Sequence, residues 1–158
     1  MHVEFTVNDE AVTWDVPTSE MLIDTLRDRL GLTGTNLGCD HAACGACTVR
    51  VGEVPAASCS TFTWQVDGAS VVTVEGLCAD GALSAEQAAF AERSAFQCGY
   101  CTPGLLTLTS LLLDEVPDPT PEVVREWISA NICRCTGYEV IVEAVLDAAA
   151  RRRSSDAG

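Results

Sequence analysis

Nine cysteines stand in a chain of 158 residues, and eight of them fall into two sets of four. Cys39, Cys44 and Cys47 crowd into the loop CDHAACGAC, with Cys59 following at a distance. Cys98, Cys101, Cys133 and Cys135 form the second set, in FQCGYCTPG and NICRCTGY, and Cys78 lies alone between the two. A secreted disulfide scaffold calls for an export signal and usually an even cysteine count. MHVEFTVNDE has no basic region followed by an apolar stretch. A cytoplasmic protein is therefore expected, and in that reducing compartment clustered cysteines read as metal ligands. Apolar residues make up 47% and charged residues 20%, so the chain is a folded protein able to bury a core. Its most apolar run, Leu105 to Leu113, suits a buried helix and is too short for a membrane span. The formal charge of −14 argues against nucleic-acid binding, which needs a basic surface.

The two cysteine sets lie in segments of different character. Residues 3–7 and 12–16 alternate apolar and polar side chains across NDEA, a hairpin signal. Ser19 is a candidate cap for a helix with Met21, Leu22, Leu26 and Leu30 on one face and Gly31 at its end. Residues 47–51 read as a strand turning at Gly52–Glu53, and 70–74 as another. From Leu83 onward the strand signals stop. Ser84 with Gln87 forms a capping box for a helix over 84–96. Pro103 and Pro121 sit where helices start, where a missing N–H costs nothing. Helices are thus predicted at 84–96, 102–113, 120–130 and 138–150, a small antiparallel bundle. The domain boundary is expected near Glu75 to Gly81. Arg151 to Arg153 are expected to meet the dipole of the last helix and then fray.

The spacing within each set narrows the chemistry. C-x4-C-x2-C followed by a distant cysteine is the plant-type ferredoxin pattern. A 2Fe–2S core is wider than one metal ion, so three thiolates from a wrapping loop cover one side and a fourth closes it. Gly38, Ala42, Ala43, Gly45 and Ala46 are small enough to let backbone N–H groups approach the sulfurs. Structural zinc usually shows paired C-x2–4-C knuckles, and only one such pair occurs in this set, which makes zinc the second choice. His41 reads as a polar side chain on the loop rim, because four cysteines are already present and a Rieske centre needs two histidines. The second set, C-x2-C with C-x-C, is placed at helix starts, whose dipoles favour thiolates. No βαβ pattern surrounds it, which disfavours a thioredoxin-type site. A second metal centre is the better reading. Cys78 fits no ligand position and is expected to be a small buried hydrophobe.

GCDHAACGACTV, QCGYCTPG and NICRCTGY, in that order and with TVEGL between them, resemble the iron–sulfur subunit of the molybdenum hydroxylases, the xanthine oxidase and aerobic carbon monoxide dehydrogenase family. The resemblance runs from Val3 to about Ala149. It implies an α+β protein: an N-terminal β-grasp 2Fe–2S ferredoxin-like domain over 1–76, an all-α four-helix 2Fe–2S-binding domain over 77–150, and a flexible C-terminal tail over 151–158. One 2Fe–2S cluster would be bound by Cys39, Cys44, Cys47 and Cys59. The other would be bound by Cys98, Cys101, Cys133 and Cys135. Gln97 and Cys135 would approach the pterin of a partner. The implied partners are a large molybdopterin-binding subunit and a medium FAD-binding subunit, arranged as a dimer of heterotrimers, with electrons passing from the molybdopterin centre through the clusters to FAD. Ala42 stands where relatives often carry glycine. Arg134, between two ligands, would tune the cluster or pair at the surface, and Tyr100 would pack around the cluster.

Nothing in the chain resembles a substrate pocket with acid, base or nucleophile. Three classes stay open on the residues: an electron-transfer subunit of a molybdenum hydroxylase, a free-standing two-cluster carrier, and a zinc-stabilised adaptor.

Overall fold

The alternating apolar positions of the N-terminal segment fold as expected into a hairpin, β1 (His2–Val7) and β2 (Glu10–Asp15). Asn8 and Asp9 join them with φ of 51° and 68°, the left-handed pair of a two-residue hairpin turn. In the computed structural model, which describes residues 1–78 and 81–156, three further strands follow. These are β3 (Thr48–Val51), β4 (Val54–Ala57) and β5 (Ser70–Val72), giving a five-stranded sheet of order β2-β1-β5-β3-β4. β1 and β5 run parallel, with Val7 opposite Val71, and the other pairs are antiparallel. Strand β4 carries no alternating signature: VPAA holds a proline, tolerated here because β4 is the sheet edge.

A short helix, α1 (Leu22–Asp24), continues as one π-helical turn through Arg29 and lies on the sheet. Its Leu22 and Leu26 share a core with Val3, Phe5, Val49 and Val71. Ser19 is not its cap. The helix starts without a side-chain cap, and the Leu22 N–H donates to Thr61 O at 2.7 Å, a tertiary contact that replaces the local one. Gly31, at φ 68°, ends the segment as expected.

The helical half contains α2 (Ala85–Glu92), α3 (Thr102–Glu115), α4 (Pro121–Ile128) and α5 (Glu139–Asp156). Ser84 and Gln87 make the capping box of α2. That helix stops before 96 because Ser94 turns left-handed, φ 52°. Ser94 N–H then returns to Ala91 O and Ala95 N–H to Phe90 O, a Schellman closure with serine in the usual glycine position. Phe90, Leu105, Leu112, Val124, Ile128, Ile141 and Val145 form the core of the bundle.

The tail expected over 151–158 is helix as far as Asp156; residues 157–158 lie outside the described residues, as do Ala79 and Asp80 of the expected boundary region. The three arginines do not fray. Arg151 pairs with Glu92 on α2 and with Asp147, and Arg153 pairs with Asp118 beyond α3. Arg152 reaches the buried Glu86 and also Asp114, 2.6 Å away. Asp114 is shared with Arg50 of β3, so one chain of charges ties α2, α3 and α5 to the sheet. Burial alone would raise the Asp114 carboxyl, but hydrogen bonds from Arg152 and Arg50 outweigh it and hold it below the usual range.

Arg152→Gln leaves Glu86 buried without its counter-charge, and denaturant unfolding should show a loss of about 3 kcal/mol. A loss under about 0.5 kcal/mol, ordinary for a surface pair, would contradict the network. Because the folded Asp114 pKa is depressed, its contribution is complete above the ordinary carboxylate pKa of about 4. It is lost as pH falls through the lower folded value, so the wild-type advantage over Arg152→Gln should shrink in acid.

Candidate iron–sulfur sites

The first loop winds around its own sulfurs. Asp40, Ala42 and Gly45 have φ of 60°, 59° and 74°, and these left-handed residues help turn N–H groups of the loop toward its sulfurs, an arrangement that favours negative charge. Ala42 therefore adopts the conformation glycine would take at that position. The amides of Ala43 and Cys44 each donate to Cys39 Sγ at 3.3 Å, and the amide of Ala42 donates to Cys59 Sγ at 3.4 Å. Cys59 is carried to the loop by a 3-10 turn, Ser58–Ser60, that follows β4, and Ser58 holds that turn by donating to Cys47 O.

The four thiols of this loop form an inner and an outer pair. Cys47 and Cys59 are buried against Ile23, while Cys39 and Cys44 are half-buried. Burial pushes the Cys47 thiol up to about 11, and the facing Cys59 adds to the shift. At Cys39 the amide of His41 is the largest influence, aided by those of Cys44 and Ala43, and the thiol falls to about 6. The His41 ring is exposed and turns back to the Cys39 carbonyl, so it stands outside the sulfur cluster, on the rim as expected.

The second site repeats the plan with different elements. Cys101 immediately precedes α3, whereas Cys133 and Cys135 lie in the loop between α4 and α5, not at a helix start. Cys101 and Cys133 are the buried pair. Cys98 and Cys135 are exposed, with their sulfurs 3.5 Å apart. Burial and then the facing Cys133 push Cys101 up to about 12. Burial would also raise Cys133, but the Thr136 hydroxyl, 3.1 Å from its sulfur, leads the contacts that lower it instead. Cys135 is raised, chiefly by its contact with Cys98.

A thiol whose pKa is raised by a neighbouring sulfur, as at Cys47, Cys101 and Cys135, is short of positive charge, and thiolate ligands convert that deficit into metal affinity. Two facing pairs per site suit two irons, each held by two thiolates, and the donated N–H groups suit a cluster whose sulfurs carry charge. The residues therefore fit a 2Fe–2S group at both sites.

Two tyrosines fix the loops: Tyr138, which has no role in the sequence reading, and Tyr100, which is expected there only to pack around the cluster. Tyr138 Oη accepts from the Cys133 amide at 2.7 Å and lies 3.2 Å from Asn131 O, fixing the second loop. Tyr100 Oη donates to Leu37 O at 2.6 Å and Asn36 donates to Tyr100 O at 2.9 Å, so Tyr100 bridges the two cysteine loops. Both tyrosines belong to the motifs QCGYCTPG and NICRCTGY, which was the available signal. Gln97 is exposed beside Cys98, and Arg134 is exposed between its two cysteines. Cys78 is not buried: it is exposed, and its thiol donates to Gln87 Oε1 at 3.1 Å.

Comparison with known proteins finds two 2Fe-2S domain families along the chain. Residues 5–79 match the 2Fe-2S iron-sulfur cluster binding domain family, and residues 73–146 match a second 2Fe-2S binding domain family. The small subunit of nicotine 6-hydroxylase from Paenarthrobacter nicotinovorans is 49% identical over 148 residues, covering 94% of this chain and 89% of that one. Caffeine dehydrogenase subunit gamma from Pseudomonas sp. (strain CBB1) is 44% identical, covering 90% and 87%. Among solved structures, quinoline 2-oxidoreductase from Pseudomonas putida 86 superposes with a TM-score of 0.93 at 40% identity, covering 98% of this chain and 96% of that one.

In the iron-free chain, Cys39 should alkylate readily at pH 7 and more slowly as pH drops through about 6, while Cys101 stays unreacted. Mass spectrometry of pulse-labelled protein measures both. A Cys39 rate that keeps falling only below pH 8–9, where an ordinary thiol titrates at about 8.5, would contradict the inward-facing amides.

Proposed function

The chain belongs to the iron–sulfur subunits of the molybdenum hydroxylases, and from that premise we propose that it is the electron-transfer subunit of such a complex. In this role it relays electrons between the molybdopterin centre of a larger subunit and FAD. Cys39, Cys44, Cys47 and Cys59 hold one 2Fe–2S cluster, and Cys98, Cys101, Cys133 and Cys135 hold the other. Each cluster supplies one-electron storage at its site. The observation that carries the assignment is the repeated arrangement of a buried thiol pair backed by an outward pair, with hydrogen-bond donors aimed at the sulfurs.

The chain's own residues have separable tasks. The amides of Ala42, Ala43 and Cys44 stabilise charge on the first sulfurs, and Thr136 does so at Cys133. Apolar burial around Cys47, Cys59, Cys101 and Cys133 keeps water from the inner pair of each site. Gln97 and Cys135 are exposed and are the residues that meet the pterin of the larger subunit. We divide the chain at 76/77, within the stretch 73–79 where the two family matches overlap. The partners are a molybdopterin-binding subunit and an FAD-binding subunit in a dimer of heterotrimers. The cysteines, all free, suit the cytoplasm. Among the described residues no helix is long and apolar enough to cross a membrane. Substrate chemistry belongs to the partner.

Metal analysis of the purified protein should find about four irons per chain, two for each cluster. Paramagnetic resonance of the reduced protein should show two distinct signals. Cys59→Ser should damage only the first site's signal and Cys133→Ser only the second's, with Cys78→Ala leaving both. A single signal, or stoichiometric zinc, would sink the reading.

A further inference from the structure

The two cysteine loops, far apart in sequence, touch at one buried point. The Ile132 N–H donates to Cys44 O at 2.8 Å, so the residue next to Cys133 is hydrogen-bonded to the main chain of a cysteine in the other set. One position before it, Asn131 donates from Nδ2 to Gly45 O at 3.0 Å. Asn131 is 0% exposed, and its Oδ1 has no partner. A buried amide oxygen left unpaired is unfavourable, and an apolar side chain would avoid that cost. What the amide gains at this position is its hold on the first loop.

The surrounding glycines show how close that hold is. A Cβ on Gly45 would lie 2.5 Å from Ala130 O and 2.8 Å from Asn131 Cα. A Cβ on Gly104, in the first turn of α3, would fall on both Gly45 O and Asn131 Nδ2. Neither close approach tolerates a side chain. Main chain from 44–45, the amide of Asn131 and the start of α3 are therefore interlocked, and Cys101 leads directly into that same helix.

We propose that Asn131 is a positioning residue that sets the electronic coupling between the two cysteine sites, by holding the Ile132–Cys44 hydrogen bond in place. The proposal rests on the two-cluster reading above. A path between the sets then runs from Cys133 through its own amide to Ile132, across one hydrogen bond to the Cys44 carbonyl, and on to the Cys44 sulfur. One electron lost at one site is gained at the other, and no proton moves and no covalent bond changes. Without the Asn131 amide, nothing polar fastens Gly45 O to the second loop, and the hydrogen bond that joins the two sites loosens.

The test uses the iron-loaded protein with both sites reduced by dithionite, compared by low-temperature paramagnetic resonance. The wild type should show two signals, each split by spin–spin interaction with the other. Asn131→Ala removes the amide, and Gly104→Ala keeps it but crowds both Gly45 O and Asn131 Nδ2, forcing the two apart. Loss of the splitting in either variant, with four irons and both signals retained, supports the proposal. Splitting that survives in both variants overturns it, as does a wild type with two unsplit signals. Loss of iron from both variants also overturns it, because the interlock would then hold the clusters and not their coupling. A wild type lacking two signals strikes the underlying two-cluster reading first.

Discussion

Thiol sulfurs that give up their protons repel one another, and holding four of them together is the constraint around which this chain is built. Each site answers it in the same three ways. A loop with left-handed residues, or a hydroxyl beside the sulfur, supplies hydrogen-bond donors. Burial removes one pair from water. The charge that remains is left for metal, because donors at 3.3 Å lower a thiol's pKa without neutralising a set of four. The opposed shifts, Cys39 down to about 6 and Cys101 up to about 12, are two expressions of that imbalance.

The sheet and the bundle serve the sites by holding them against each other. The first loop is carried between α1 and β3, and the second by α3 and the α4–α5 connection. Tyr100 joins them on one side and Asn131 on the other. A third tie, Arg50 to Asp114 to Arg152, fastens β3 to the helices. An electron-transfer role requires such rigidity, since exchange between two centres depends on a fixed separation and not on motion. The family membership, and the 0.93 TM-score with quinoline 2-oxidoreductase, extend along almost the whole chain and so include both sites and their junction.

Much of this was legible in the sequence. Eight ligand candidates follow from cysteine spacing, the hairpin from alternation, and α2 from Ser84 and Gln87, because all of these are local signals. The remainder depends on contacts between distant residues. Ser19 loses its predicted cap to Thr61, and VPAA becomes a strand only because β3 pairs with it. Arg151 to Arg153 read as a fraying tail since their carboxylate partners on α2, and near the end of α3, lie far away in sequence. Asn131 sits inside a motif already singled out, yet its partner is 86 positions away. Cys78 was assigned to the core by residue type, while its thiol is exposed to solvent and bonded to Gln87.

The central claim is that each four-cysteine set holds a pair of irons. Anomalous diffraction at the iron absorption edge, from crystals of the native iron-loaded protein, tests it most directly. Two pairs of iron peaks should appear, one among Cys39, Cys44, Cys47 and Cys59, the other among Cys98, Cys101, Cys133 and Cys135. A single peak at either set, or one that scatters at the zinc edge and not at that of iron, would contradict it.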